Sequence, residues 1–328
     1  MPEITKRTYR KHYKRDKVNP LPFTIQDRDI SMLQAVLDNR FLTPTLLARL
    51  FPPDAKGRQR KGATDAPPDA PYRNLRRRLH GLWQHEYLHR FRTVIGGEQI
   101  YALHTKGAQL LLQKQIALPF NTVTNWSEKN RIISNLYADH ALMVARFRVA
   151  LEVALRQHPE LELSSFSRDN QDVRTNWTEK GKRFYINPDA FFVLRSKAPE
   201  QEQMGFFVEA DRSTMTLERL VNKYGMYTAM FEKRVHNEAY KVKHFRVLTV
   251  TKSAERASNA LQYATREPNK TRKKTDPFII PQNRRGLFFF TTDLAYDEQP
   301  QNVLSAIWRK TNNPQELDCF IPSPLPRK

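Results

Sequence analysis

The sequence predicts a mixed α/β (α+β) protein with two domains, and three observations support this class. The 328 residues suggest two domains, or one large domain with an attachment. Apolar residues make up 39% of the chain, which is enough for substantial cores. In the second half, runs of β-forming residues alternate with long helical patterns, and strands joined by crossover helices are typical of a mixed sheet.

The composition is strongly basic, with 55 lysines and arginines against 34 aspartates and glutamates and a net charge of +21. Basic residues outnumber acidic ones both in the first 125 residues and in the remainder. The expected partner is therefore a polyanion, and nucleic acid fits better than an anionic membrane surface. The alternative is a generally basic protein without such a partner.

The chain begins with a basic arm at residues 1–20, in which tyrosine and histidine alternate with charged residues. We expect the arm to lie along DNA phosphates, although a solvated tail would have the same composition. The residues assigned to this contact are Lys6, Arg7, Arg10 and Lys11.

The cysteine and hydropathy patterns predict a cytoplasmic protein. The single cysteine, Cys319, excludes a disulfide within the chain and favours a reducing compartment. No stretch has the roughly 18 consecutive apolar residues of a membrane span. The basic arm is not followed by the apolar segment of a signal peptide, so we expect no membrane insertion.

Residues 21–115 have the pattern of a winged helix-turn-helix domain. Thr24 is placed to cap a first helix, and Thr43-Pro44 to start a second. After a loop rich in proline and glycine, leucines at helical spacing predict a third helix whose outer faces carry arginines. A basic third helix in this arrangement enters a DNA major groove, and the alternative is a basic helix that contacts phosphates alone or makes no DNA contact. The arginines are Arg73, Arg76, Arg77 and Arg78.

Two short β-patterns at residues 87–95 and 99–104, separated by Gly96-Gly97, predict a hairpin that forms the wing. A helix at residues 105–115 closes the domain. The run from His85 to His89 matches the H-E-x-x-H zinc pattern. We expect it to straddle a helix end and a strand, where the two histidines cannot share one ion.

A linker at residues 116–128 leads to a second domain at 129–312, followed by an extended tail at 313–328. The order predicted for the domain is αβββαβα with additions. The predicted helices cover residues 130–157, 215–241, 254–265 and 302–310. The predicted strands cover residues 161–166, 183–194, 205–210, 245–251 and 287–291.

Carboxylates occur inside two of these apolar strands. Asp189 opens one run, and Glu209 and Asp211 close the next. A buried carboxylate costs several kcal/mol unless it is compensated, and three such groups on neighbouring strands would repel one another. A bound Mg²⁺ or Mn²⁺ would remove both penalties, because oxygen ligands suit these ions.

The order αβββαβ with Pro188-Asp189 and Glu209-Ala210-Asp211 resembles the core and the PD-(D/E)xK signature of restriction-endonuclease-like nucleases. The roughly twenty-residue spacing of the two motifs agrees with this resemblance. Asp211 departs from it, because a lysine is expected at that position. Lys223 on the following helix is the candidate replacement, if that helix runs back over the strands.

The chain also resembles the replication-relaxation family over about residues 24–310. The resemblance is carried by the predicted N-terminal winged helix and by the segments PDA, FFVEADRST, LERLVNKY and RVLTVTKSAERASN. It implies a plasmid mobilisation relaxase that cleaves one DNA strand at a transfer origin and so initiates conjugation. The implied catalytic residues are Asp189, Glu209, Asp211 and Lys223, with the three carboxylates as metal ligands. The implied partners are double- and single-stranded DNA, with a coupling protein or an accessory mobilisation protein.

Several alternatives remain open from the sequence. A tyrosine could act as a covalent nucleophile, and Tyr224, Tyr227 and Tyr185 are the candidates, although a packed ring is the ordinary role for each. The fold could be a catalytically inactive DNA-binding regulator of plasmid replication or transcription, whose carboxylates pair with basic side chains. It could also be a mobile-element endonuclease that makes double-strand breaks.

Overall fold

The computed structural model describes residues 15, 22–52, 70–94, 96–116, 134–168, 173–179, 181–197, 203–267 and 277–322. The chain divides into two compact units, Met1–Ala145 and Arg146–Lys328. The mixed α/β class predicted from the sequence is confirmed. Within the part of the chain that the structure describes, no helix combines the length and apolarity needed to span a membrane.

The first unit has helices around a three-stranded antiparallel sheet whose order is β1-β3-β2. The elements in chain order are α1 (Asp27–Asn39), β1 (Phe41–Leu42), α2 (Pro44–Leu50), α3 (Ala70–Gln84), β2 (Leu88–Phe91), β3 (Ile100–Leu103) and α4 (Thr105–Gln113).

Helix starts in this unit follow local capping rules. Thr43 caps α2 as predicted, and its Oγ1 accepts a hydrogen bond from the Leu46 N–H at 3.3 Å, with Pro44 as the first helical residue. The predicted cap at Thr24 is wrong. Helix α1 starts at Asp27, because the Gln26 N–H is satisfied by the carboxylate of Asp29 at 2.8 Å.

The second unit is built on a seven-stranded mixed sheet in the order β12-β11-β10-β9-β8-β7-β4, and β5 and β6 form a separate hairpin. A 21-residue helix, α5 (Asn135–Leu155), precedes the strands, and its residues from Arg146 onwards belong to the second unit. The remaining elements are β4 (Leu161–Arg168), β5 (Thr175–Glu179), β6 (Lys182–Ile186), β7 (Ala190–Ser196), β8 (Gln203–Asp211), α6 (Leu217–Glu232), α7 (Val235–Ala239), β9 (Phe245–Thr251), α8 (Ala254–Thr265), β10 (Phe288–Thr292), α9 (Leu294–Asp297), β11 (Trp308–Lys310) and β12 (Asn313–Asp318).

The strand directions determine at which edge of the sheet the crossover helices start. β4, β7 and β8 are antiparallel neighbours, whereas β8, β9 and β10 run parallel. Parallel neighbours need a crossover, and α6 and α8 provide the two crossovers. Each crossover helix therefore starts near the carboxyl ends of the parallel strands. We call this edge the carboxyl end of the sheet.

Residues on alternate sides of the strands build two apolar layers. On one face, Phe207 and Val247 pack with α6 and α8 in a single buried cluster. On the other face, Phe147 of α5 lies against Phe192 and Trp308, at ring distances of 5.8 and 6.3 Å. The two-residue period means that Glu209 and Asp211 lie on the α6 and α8 face, in line with Phe207.

Two predicted boundaries are corrected. The strand predicted at 183–194 is two strands, β6 in the hairpin and β7 in the sheet, separated by Asn187-Pro188. Proline has no N–H for the ladder and disfavours a continuous central strand. The helix predicted at 215–241 ends at Glu232, and Arg234 has a positive φ of 54° before α7 starts.

The helix predicted at 302–310 is wrong. A short 3-10 helix, Pro300–Leu304, is followed by β11, in which the fully buried Trp308 donates its indole N–H to the Val303 carbonyl at 2.9 Å. Residues 313–318, assigned to an extended tail, form the edge strand β12.

Candidate active site at the carboxyl end of the sheet

Asp189 is fastened to the strand that carries Glu209. Its backbone N–H donates to the Val208 carbonyl at 3.1 Å, and its Oδ2 accepts from the Ala210 N–H at 2.8 Å. These two contacts lie on either side of Glu209. The residue just before β7 therefore has its carboxylate positioned beside that of Glu209.

Glu209 is almost completely buried, with 3% of its surface exposed, and α6 supplies both of its partners. The Lys223 ammonium donates to Oε2, and the Tyr227 hydroxyl donates to Oε1. Residues four apart lie on one face of a helix. Helix α6 thus runs back over β8 and delivers a cation and a hydroxyl to the same carboxylate, which is how the sequence analysis expected Lys223 to reach the site.

The electrostatics of this group are set by burial. Desolvation raises the pKa of Glu209 to about 7, Asp189 raises it further, and Lys223 and the Tyr227 hydrogen bond oppose the increase. Burial lowers the pKa of Lys223, but the carboxylates of Glu209 and Asp189 outweigh it and raise that pKa overall. Lys223 therefore stays charged while Glu209 exchanges a proton near neutral pH.

Asp211 is paired differently. Its Oδ2 accepts from Arg256 Nε of α8 at 2.6 Å, and its Oδ1 accepts from the Ser213 N–H at 2.9 Å. Arg256 also donates to the Met215 carbonyl, which fixes the loop between β8 and α6. The cation that pairs with Asp211 is thus Arg256 of α8, whereas Lys223, the candidate chosen from the sequence, pairs with Glu209. We call Asp189, Glu209, Asp211, Lys223 and Arg256 the acidic cluster.

The donor set fits a divalent ion at Asp189 and Glu209. Mg²⁺ is commonly held by one or two carboxylates together with water and substrate phosphates. Asp189 precedes β7, Glu209 lies on the adjacent strand β8, and the Asp189 carboxylate raises the pKa of Glu209. Both oxygens of Glu209 and both oxygens of Asp211 also accept hydrogen bonds from the protein. Among the residues that the structure describes, no group of three or more acidic, histidine or cysteine side chains is arranged to hold a metal ion.

The three candidate nucleophiles lie in different places. Tyr224 and Tyr227 are fully buried, and burial raises the pKa of each hydroxyl well above its usual range. The Tyr224 hydroxyl lies 2.9 Å from Thr249 Oγ1. Tyr185 is 73% exposed on β6. Tyr224 and Tyr227 therefore have partners inside the core, and Tyr185 alone of the three faces solvent.

The arginines of α3 divide into two sets. Arg73, Arg76 and Arg77 are exposed. Arg78 turns inwards, where it pairs with the fully buried Asp29 and lies over the Phe23 ring at 4.1 Å. A DNA-contacting role remains a prediction for the exposed arginines, whereas Arg78 has a structural contact that joins α3 to α1.

The basic arm is described only at Arg15, and Lys6, Arg7, Arg10 and Lys11 lie outside the described residues. Arg15 donates to the carbonyls of Trp83 and Leu88 at 2.8 and 3.0 Å and pairs with Glu86 at 3.2 Å. This anchor had not been predicted from the sequence. It ties the arm to the end of α3 and the start of β2.

The H-E-x-x-H run straddles a helix and a strand as expected. Helix α3 ends at Gln84, and His89 lies on β2. The His89 ring lies against His104 at 4.4 Å, and burial lowers the pKa of His89 to about 4. His85 and His89 therefore do not share a helical face.

Two members of the site were missed as such by sequence reasoning. Tyr227 had been considered only as a nucleophile, although its four-residue spacing from Lys223 could have identified a second partner for the same carboxylate. Arg256 lies 45 residues from Asp211, and only the sheet order brings the two together.

The fold and site together define an α/β protein with a basic N-terminal unit and a carboxylate–lysine cluster at the end of a mixed sheet. The sequence model of the replication-relaxation family matches residues 33–245, and the chain belongs to that family. The matched range contains Asp189, Glu209, Asp211 and Lys223. No curated protein and no solved structure matches the chain.

Proposed function

We propose that the protein is a strand-specific DNA nickase that initiates plasmid mobilisation by metal-dependent cleavage of a phosphodiester bond. The observation that carries this proposal is the convergence of Asp189, Glu209 and Lys223. They come from the start of β7, from β8 and from α6, and they meet at one end of the sheet. The family name associates the chain with replication.

The element order supports a restriction-endonuclease-like core. Helix α5 is followed in the sheet by the antiparallel strands β4, β7 and β8, and α6 then crosses to the parallel strand β9. This is the αβββαβ order, with the β5–β6 hairpin inserted. In the first unit, three helices followed by the antiparallel pair β2–β3 support a winged helix.

The residues have distinct roles in the proposed reaction. Asp189 and Glu209 would hold Mg²⁺ or Mn²⁺, which when bound polarises a phosphate and acidifies a water molecule. Glu209 must be deprotonated for this role, and its pKa of about 7 makes its ionisation sensitive near neutral pH. Lys223 would offset negative charge that develops on the phosphate. Tyr227 orients Glu209. Arg256 holds Asp211 and the loop between β8 and α6 in place.

DNA contact would begin at the first unit. Arg73, Arg76 and Arg77 are exposed on α3, and the basic arm precedes the anchored Arg15. A net charge of +21 adds a sequence-independent attraction to phosphates. The first unit would select the site, and the acidic cluster would cut.

The proposal is tested by nicking of the cognate supercoiled plasmid in Mg²⁺ or Mn²⁺. We expect Asp189→Ala and Glu209→Ala to lower the rate at least about 100-fold while DNA binding is retained. Glu218→Ala, on the exposed first turn of α6, is the matched control and should nick normally. Normal nicking by both site variants would refute the assignment.

Analysis of the products under denaturing conditions identifies the nucleophile. A free 5′ end indicates hydrolysis, whereas protein attached to the 5′ end indicates a tyrosine. Because Tyr185 is the exposed candidate, Tyr185→Phe is the variant that would abolish a covalent product.

A second function, a DNA-binding regulator without catalytic activity, is favoured by one observation. Each carboxylate of the acidic cluster accepts a hydrogen bond from the protein, and Lys223 and Arg256 provide charge compensation without a metal. Specific DNA binding without nicking in either metal would support the regulator.

A further inference from the structure

A second charged cluster lies at the carboxyl end of the sheet, on the α5 face. Its centre is Asp293, which follows β10 and is 1% exposed. The Lys252 ammonium donates to Asp293 Oδ2, and Arg146 Nη1 of α5 lies 3.9 Å from the same oxygen. We call Asp293, Lys252 and Arg146 the basic cluster.

The two cations of the basic cluster remain accessible. The side chain of Lys252 is 43% exposed and that of Arg146 is 34% exposed, although the carboxylate that holds them is buried. Both cations share one oxygen, and Asp293 Oδ1 has no hydrogen-bond partner among the described residues. The Tyr296 hydroxyl beside it is likewise buried without such a partner. Because Lys252 is exposed and Arg146 is half-buried, the two cations on this buried carboxylate keep N–H donors that can reach solvent.

The basic cluster is connected to the strands of the candidate active site. The Asp293 N–H donates to the Thr251 carbonyl at 3.0 Å, and Thr251 is the register partner of Asp211. Lys252 is the next residue after Thr251. Strands lie about 4.8 Å apart, so β8 and β10 are separated by roughly 10 Å. This corresponds to about three nucleotides of rise along one DNA strand.

We propose that Lys252 and Arg146, positioned by Asp293, bind a backbone phosphate of the DNA strand that passes over the carboxyl end of the sheet. The identity of the ligand rests on the proposed function, since both require DNA at this edge. The contact itself does not require cleavage. It would hold the strand across the sheet edge, with the neighbouring phosphates directed towards Glu209.

The test is the salt dependence of binding to a short fluorescein-labelled single-stranded oligonucleotide, measured by anisotropy with EDTA present. Between about 50 and 200 mM salt, Lys252→Ala and Arg146→Ala should each reduce the slope of log affinity against log salt by about 0.7. Each should weaken binding by about three- to tenfold. A slope equal to that of the unmodified chain in both variants overturns the proposal.

Lys233→Ala is the matched control. Lys233 is also an exposed lysine in an ion pair, with its Nζ 2.7 Å from Glu179 Oε1. It follows the last residue of α6, which runs back from the carboxyl end, so it lies towards the opposite end of the sheet. We expect Lys233→Ala to leave the slope of log affinity against log salt unchanged. An equal reduction of that slope in Lys233→Ala would show that loss of any exposed lysine has this effect, and it would overturn the proposal.

Asp293→Asn separates a positioned contact from general charge. The substitution makes the net charge more positive, so non-specific attraction alone predicts tighter binding. Loss of the anchor predicts weaker binding, and tighter binding would overturn the proposal. If this variant does not fold, the Lys252 and Arg146 variants decide the question.

The two proposals fail separately. Nicking by the unmodified chain with unchanged salt slopes in the variants would leave the nickase proposal standing and remove the phosphate contact. Reduced slopes without nicking in either metal would establish the contact and remove the nickase proposal.

Discussion

The acidic and basic clusters lie at the same end of one sheet, on opposite faces, and they differ in how accessible their cations are. In the acidic cluster the side chain of Lys223 is 19% exposed, whereas Lys252 in the basic cluster is 43% exposed. Both lysines pair with an almost fully buried carboxylate. The comparison shows that a buried carboxylate can serve two purposes. Glu209 can hold a proton near neutral pH, whereas Asp293 holds a lysine whose charge is accessible to solvent.

Burial explains this division. Glu209 carries the cost of desolvation within a group of three carboxylates and two cations, so its protonation changes near neutral pH. Asp293 is shared by two cations from different elements. This difference agrees with the proposals that the acidic cluster binds a divalent ion and that the basic cluster binds a phosphate.

The largest effect should come from removing the buried cation. Lys223→Met leaves Glu209 buried without its ion-pair partner, and at about pH 9 we expect a loss of roughly 3 kcal/mol in the free energy of unfolding. Lys252→Met is the matched substitution on the other face. It should cost about 1 kcal/mol or less, because Arg146 remains beside Asp293 and the lysine is substantially exposed.

Urea denaturation of both variants measures the contrast. Equal losses in the free energy of unfolding would contradict the expected difference, because burial would then not explain how much each lysine contributes to stability. The Lys223→Met loss should also shrink at about pH 5, where Glu209 is protonated and needs no cation.

The second effect is a pH dependence of stability caused by Glu209. The native pKa of about 7 lies above the ordinary value of 4.5, so the folded state keeps a proton that the unfolded state releases. Stability must therefore fall as the pH rises from 4.5 to about 7, by an amount of order 1 to 3 kcal/mol. Lys223, whose pKa is raised, adds stability that is lost only above about pH 10.5.

Denaturation at several pH values tests this sign. Glu209→Gln should flatten the fall between pH 4.5 and 7, whereas Glu218→Gln on the exposed first turn of α6 should leave it in place. Stability that rises over this interval in the unmodified chain, and rises less in Glu209→Gln, would contradict the raised pKa.

The parts of the fold that depend on local sequence could be predicted. Thr43 caps α2, and α8 occupies residues 254–265, with Ser253 accepting from the Arg256 N–H at 3.1 Å. The strand at 245–251 was also correct. In these segments the cap residue and the hydrophobic period agree with the tertiary structure.

The wrong predictions arise where tertiary contacts, and not the local sequence, determine the ends of elements and the directions of side chains. A period-two pattern continues across Asn187-Pro188, so the pattern alone did not separate β6 from β7. The direction of Arg78 depends on the buried Asp29, which is distant in sequence. Asp189, Glu209 and Lys223 could be chosen from motif and helix direction. The pairing of Asp211 with Arg256 and the whole basic cluster required the order of β8, β9 and β10.

The smallest effect concerns the hydroxyl that orients Glu209. Tyr227→Phe removes its donor, and because this hydrogen bond lowers the pKa of Glu209, the pKa should rise further. The acidic limb of the plot of nicking rate against pH should then move to higher pH. The free energy of unfolding should fall by about 1 kcal/mol. Tyr224→Phe loses a hydrogen bond to Thr249 instead. It should therefore lower the free energy of unfolding by a similar amount without shifting the acidic limb of the pH–rate profile.

Rate profiles of the two phenylalanine variants distinguish positioning from chemistry at this residue. A shifted limb with an intact maximal rate in Tyr227→Phe means that the hydroxyl acts through Glu209. Complete loss of nicking together with loss of a protein–DNA adduct would instead make Tyr227 the nucleophile, which would require its fully buried ring to leave the core. Since Phe207 and Phe245 pack around that ring at 5.1 and 6.4 Å, the structure favours the shifted limb.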